Sequence, residues 1–239
     1  MRRTVFYFLF GVYVLIGSYS VGSAAQLVVL SSTDEALSTG AVIEDSSLTI
    51  AFGAAVTVID QAGRVHNLTG PHKGVPGASE PQKVGETRLA TALRRLIADD
   101  ATSTKTLGVI RKAASDDDGN PNHVSADDAS IHCMILGDTP ILARVDSSRE
   151  ERVRLKQRGG DAARFIWAKG KSTMAWPADL SPVDGGTYLL RRKGQSLPVR
   201  IDVKVSGDRN SSPKFIAAWM AASGCKRQAE AALAALGGG

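Results

Sequence analysis

Ser211-Ser212-Pro213-Lys214 has the S-x-x-K spacing, in which a lysine one helical turn on takes the proton of a nucleophilic serine. That chemistry also needs S-D-N and K-T-G elements further along, and the fewer than 30 residues after Lys214 contain neither. The four residues are better explained as a helix start, with Ser212 as N-cap and Pro213 at the first helical position. Asp116-Asp117-Asp118-Gly119-Asn120 invites comparison with a calcium loop, which needs oxygen ligands at positions 1, 3 and 5, glycine at 6 and glutamate at 12. With Gly119 at position 6, Ala114 falls at position 1 and Ser125 at position 12, so two ligands fail. His66, His72, His123 and His132 are scattered, without H-x-E, H-E-x-x-H or paired C-x-x-C. There is no phosphate-cradling glycine loop and no G-x-S-x-G. The expectation is no metal, no cofactor and no catalytic residue that can be named.

Cys133 and Cys225 are the only cysteines. In an oxidising compartment an even, low count reads as one disulfide. The other reading is two separate buried thiols. A catalytic cysteine is disfavoured: the adjacent His132 would point to the opposite face of a strand. Trp176-Pro177, preceded by Lys169 and Lys171, could form an exposed aromatic platform for a glycan or peptide, or could belong to the core. Charge is uneven. Between Arg144 and Arg200 there are 13 basic residues against six acidic ones. Arg152, Arg154 and Lys156 would share the wet face of one strand, with Arg191-Arg192-Lys193 in a turn. A basic face of this kind attracts polyanions or anionic lipid headgroups, or is merely solvated.

These residues belong to a chain of 239 that is 43% apolar, 22% charged and 5% aromatic, a globular profile that excludes a polytopic membrane protein. Arg2 and Arg3 precede an apolar run, Val5–Ile16, and the small residues Gly22-Ser23-Ala24-Ala25. Basic, apolar, then small is the layout of a secretory signal peptide, with cleavage expected near Ala25. The apolar core holds about a dozen residues, short of the roughly 20 a membrane span needs, and an uncleaved N-terminal anchor is the alternative. Removing residues 1–25 takes away two arginines and no acid, lowering the formal charge from +5 to +3. A periplasmic or secreted protein is expected, and nucleic acid is not an expected partner.

Residues 26–112 read as short strands followed by a helix. Leu27–Leu30, Ala41–Ile43, Leu48–Ile50, Ala55–Ile59 and Arg64–Leu68 are strand candidates. Asp60-Gln61-Ala62-Gly63 between the last two gives a hairpin signal. Thr69–Gly85 is rich in glycine and proline and reads as a loop. Leu89, Leu93 and Leu96 then recur at helical spacing. Residues 113–129 carry five aspartates and no lysine or arginine after residue 112, and read as an acidic linker. From residue 130 strands return. Val199, Ile201, Val203 and Val205 alternate with Arg200, Asp202 and Lys204, one buried face against one wet face. A helix or helix pair closes the chain, with Phe215, Ile216, Trp219 and Met220 as an apolar stripe and a break expected near Gly224.

Leu48–Pro71 resembles the β-repeat of FecR-like periplasmic domains, with a small residue before a strand, a glycine turn and another strand. The second half is similar to exported bacterial proteins, some encoded near caspase-like or CHAT-type peptidases. The similarity rests on Cys133, Trp176-Pro177, Tyr188 and Ala218-Trp219 through Gly224-Cys225-Lys226-Arg227-Gln228-Ala229. The resemblance implies an envelope protein without assigned catalytic residues. FecR-type regulators place a cytosolic anti-sigma segment before their span, and only three residues lie between Met1 and Val5, so that signalling role is not expected.

Mainly β with α (α+β) is therefore the expected class: two small β-rich units with antiparallel sheets, a helix between them, and a sandwich- or barrel-like second unit, 130–239, ending in helix. The expected function is a non-catalytic binding or scaffold role in the bacterial envelope, toward another envelope protein, a polyanion or an anionic lipid surface. An envelope hydrolase with an unassigned active site is the alternative. Polar titratable residues converging in one pocket would favour the hydrolase.

Overall fold

In the first unit the apolar runs are nearly continuous, and the structure shows why. A computed structural model describes residues 26–44, 47–76, 89, 91–96, 122–206 and 210–237. The expected signal segment 1–25, most of the loop expected over 69–85, and residues 113–121 of the acidic stretch lie outside the described residues. Strand β1 (Leu27–Ser32) lies between β2 (Val42–Ile43) and β4 (Ala55–Asp60), and β5 (Val65–Thr69) completes a sheet in the order β2-β1-β4-β5. Both faces of this sheet are covered. Leu27, Val29, Val56 and Val58 meet Leu48 and Ile50 of a small pair, β3 (Leu48–Ile50) with β6 (His72–Gly74). Val28, Leu30, Ile59 and Val65 face the helices. Two-sided burial removes the polar half of the usual strand alternation. The turn at residues 60–63 closes the expected hairpin: the Gly63 N–H donates to the Asp60 carbonyl at 2.8 Å, with Gly63 at φ 78°.

The second unit is a sandwich. A five-stranded sheet runs β11-β10-β13-β14-β8, and a three-stranded sheet runs β12-β9-β7. Their strands are β7 (His123–Ser125), β8 (Ser130–Ile135), β9 (Ile141–Ala143), β10 (Glu151–Gln157), β11 (Ala162–Trp167), β12 (Thr173–Ala175), β13 (Thr187–Arg192) and β14 (Val199–Ser206). Val153, Leu155, Tyr188, Leu190, Ile201 and Val203 from the larger sheet share one core with Val124 and Leu142 from the smaller. The fold is α+β, but its sheets are not all antiparallel: β14–β8 and β7–β9 pair in parallel. A long excursion through β9–β13 separates β8 from β14, and parallel neighbours need such a crossover. β7 falls inside the stretch read as linker.

Helix α1 (91–96) contributes Leu93 and Leu96 to the first core, joined by Leu89. Helix α2 (Pro213–Ala222) is capped as expected, the Ser212 hydroxyl accepting from the Phe215 N–H. It ends in a Schellman turn. Gly224 sits at φ 80°, its N–H donates to the Ala221 carbonyl, and the Cys225 N–H donates to the Met220 carbonyl. α3 (Lys226–Gly237) then packs back on α2. Both helices bury their apolar faces with β1, β4 and β5 of the first unit, so chain order and core membership differ.

β8 is where the two cores meet. Met134 belongs to the sandwich core, while the neighbouring Cys133 turns to the helices and forms a disulfide with Cys225, Cα–Cα 5.8 Å. On the edge of β8 away from β14, the Gln228 side chain substitutes for a missing strand. Its Oε1 accepts from the Cys133 N–H at 2.7 Å, and its Nε2 donates to the Cys133 carbonyl at 2.8 Å.

Candidate functional site

The outward face of β11-β10-β13 gathers most of the basic residues that the sequence singles out. β10 is central, with burial strictly alternating from Glu151 to Lys156, so Val153 and Leu155 go inward while Arg152, Arg154 and Lys156 go outward. Register sets what lies beside them. Arg154 is directly opposite Arg164 on one side and Arg191 on the other. Three guanidinium-bearing residues therefore stand abreast across strands about 4.8 Å apart. Like charges directly opposite one another destabilise a sheet by a few tenths to about 1 kcal/mol per pair. Lys193, just past β13, donates its N–H to the Arg152 carbonyl at 3.0 Å, which brings it to the same end. Arg152, Arg154, Lys156, Arg164, Arg191 and Lys193 are all exposed, and among the described residues none of them is ion-paired. An open groove of about 600 Å³ runs over Arg152, Arg154, Arg164, Ile166, Arg191 and Lys193. Arg164 and Ile166 went unassigned in the sequence, although Phe165 and Trp167 on one face imply them on the other.

Arg192 corrects the expected face. It is the last residue of β13 and not part of a turn, and a strand period of two sends it inward after Tyr188 and Leu190. There it pairs with Asp127 at 2.7 Å and approaches Glu151 at 3.7 Å. Glu151 also receives Arg149 at 3.0 Å and Arg144 at 3.5 Å. Arg144 lies over the Trp167 ring, 4.9 Å from its centroid, and donates to the Lys171 and Ala168 carbonyls. These charges join the two sheets of the sandwich. Trp176 is a second correction. It is buried, its indole N–H donates to the Leu180 carbonyl, and it meets Tyr188 edge to face at 5.1 Å, so it offers no exposed platform.

A separate cleft of about 250 Å³ opens between β7, β8 and the first turn of α3. Ser130 Oγ lies 2.9 Å from His132 Nε2 in it. This is the convergence of polar groups a hydrolase would show, but the chemistry runs against one. Burial pushes the His132 imidazole down to about 4, and Asp128 opposes this only in part. A base so weak has little driving force to take a serine proton at neutral pH. The same shift predicts acid sensitivity. The native state holds His132 neutral, whereas the unfolded chain protonates it near 6.5, so stability is lost as pH falls from about 6.5 toward 4. We expect His132→Gln to remove roughly 2–3 kcal/mol of the stability difference between pH 7 and 4.5, measured by urea unfolding at both.

Among the described residues no group of three or more histidines, cysteines or carboxylates is placed to hold a metal ion, and no helix is long and apolar enough to cross a membrane. Ser211 and Lys214 flank the helix cap, with Ser211 buried, which is a structural arrangement. Comparison with protein-family models and with curated proteins returns no match for this chain.

Proposed function

We propose that this chain is an exported, non-catalytic binding module of the bacterial envelope that holds an anionic partner on the outer face of β11-β10-β13. The observation carrying this reading is the row Arg164–Arg154–Arg191, three cations placed abreast with no acid among them. Folding alone gains nothing from that arrangement, since each adjacent pair is repulsive. An anion laid across the row converts the repulsion into charge-assisted hydrogen bonds, which guanidinium forks make in pairs. The signal-like N-terminus, the cysteine pair and the FecR-like resemblance support an extracytoplasmic setting. The rival reading, a hydrolase built on Ser130 and His132, has the 2.9 Å contact in its favour and the weak imidazole against it.

The test uses soluble polyphosphate as the probe. Arg154→Gln combined with Arg191→Gln is expected to weaken binding at least tenfold and to flatten its salt dependence. The same variant should unfold at an equal or higher urea concentration than the parent, because two like-charge contacts are gone. Unchanged affinity would remove the proposal.

A further inference from the structure

Resting on that reading, we infer that the anionic partner is a phospholipid surface, met by the cationic face lying flat on phosphate headgroups. The first reason is shape. The row sits on the outside of a sheet, between strands about 4.8 Å apart and with side chains about 7 Å apart along each strand. Small ligands are held in concave sites that bury most of their surface, whereas the groove over this face is broadly open to solvent. A bilayer presents a plane of phosphates that can meet all six cations together. Four of the six are arginines, Arg152, Arg154, Arg164 and Arg191, whose forks match phosphate oxygens.

The second reason is apolar. Ile166 is 59% exposed and directly opposite Arg152 on the same face. Leu197 is 77% exposed in the turn that leads from Lys193 to β14. Both lie toward the Arg152–Lys193 end of the cationic face, joined there by the Lys193 N–H to the Arg152 carbonyl. Exposed branched apolar side chains give nothing to a soluble polyanion, which is hydrated on every side. At a membrane they enter the boundary between headgroups and acyl chains while the basic residues hold the phosphates. Charge and apolar groups thus occur where one bilayer surface would use both. The outer side of β8, at the far edge of the same sheet, is covered through the Cys133–Cys225 link to the helices, which leaves the β11 side as the open one.

The experiment co-sediments the full chain with vesicles of phosphatidylglycerol mixed into phosphatidylcholine, with vesicles of phosphatidylcholine alone, and titrates it with soluble polyphosphate. Parent and variants share residues 1–25, including Arg2 and Arg3, so the change in the ratio of the two partition coefficients between them reads the cationic face. We expect a ratio of at least tenfold, falling about fivefold in Arg154→Gln and to near one when Arg191→Gln is added. Ile166→Ser with Leu197→Ser should lower partition onto phosphatidylglycerol vesicles at least fivefold while leaving polyphosphate affinity unchanged. Both side chains are exposed, and circular dichroism confirms an intact fold before the comparison. Binding to polyphosphate with a vesicle ratio near one overturns the lipid inference and leaves the anionic-partner reading standing. Parent-like partition by the Ile166 and Leu197 variant also overturns it. Binding to neither probe removes both.

Discussion

Glu151→Ala is expected to destabilise the protein by about 3–5 kcal/mol, a large share of the roughly 5–15 kcal/mol that holds a typical domain folded. The Glu151 carboxylate is 5% exposed and faces three guanidinium groups, of which Arg144 has no exposed side chain and Arg192 has 8%. Removing the acid leaves Arg144 with two carbonyls and the Trp167 ring for company, and no counter-ion inside the sandwich. The cost comes from stranding a buried charge, not from losing an ideal pair, since the Arg144 contact is 3.5 Å long. Arg149→Ala is the control. Its side chain is 69% exposed, so loss of its 3.0 Å contact with Glu151 should change stability by less than about 1 kcal/mol. Equilibrium urea unfolding of the two variants checks the contrast; equal effects would show that burial does not decide the matter.

The second large effect concerns the cross-link. Cys133 and Cys225 are 92 positions apart, so opening the bond frees a loop whose closure entropy is worth about 4–5 kcal/mol in the chain-entropy treatment. Cys133→Ser with Cys225→Ser should therefore shift the unfolding midpoint strongly downward, with a steeper denaturant dependence as the unfolded chain expands. The native arrangement should survive, because the Gln228 amide still bonds both backbone groups of Cys133 and both sulfurs lie within a shared apolar core. Non-reduced peptide mapping gives an independent check. Recovery of both thiols free from protein isolated under oxidising conditions would remove the link and its stability contribution together.

Strands with one wet face are legible in the sequence because alternation writes their orientation directly: β10 shows it from Glu151 to Lys156 and β14 from Val199 to Lys204. The capped start of α2 and the glycine break before α3 are equally plain, since Ser212, Pro213 and Gly224 act through local backbone chemistry. β7 carries no such mark. Only Val124 of its three residues is apolar, and its conformation is fixed by β9 alongside it, within a stretch whose aspartates suggest a solvated linker. The same aspartates supply Asp127 to Arg192, a contact spanning 65 positions that no local pattern reveals. Arg192 itself was within reach: counting by two from Tyr188 places it inside, but three consecutive basic residues read as a turn. The cationic face was half legible. Its members on β10 follow from alternation, while the row through Arg164 and Arg191 exists only because of cross-strand register, which a single sequence does not state.

Val28 and Phe215 share one core although nearly 190 positions separate them, and Ala229 joins them from still further on. A growing polypeptide emerges with Val28 leading. The face of β1, β4 and β5 that ends beneath α2 and α3 has only the short α1 to cover it until almost the whole chain has been made. Its first sheet is a natural client for a holding chaperone during that interval, and a ribosome halted before α2 would display an adhesive surface that the finished molecule hides.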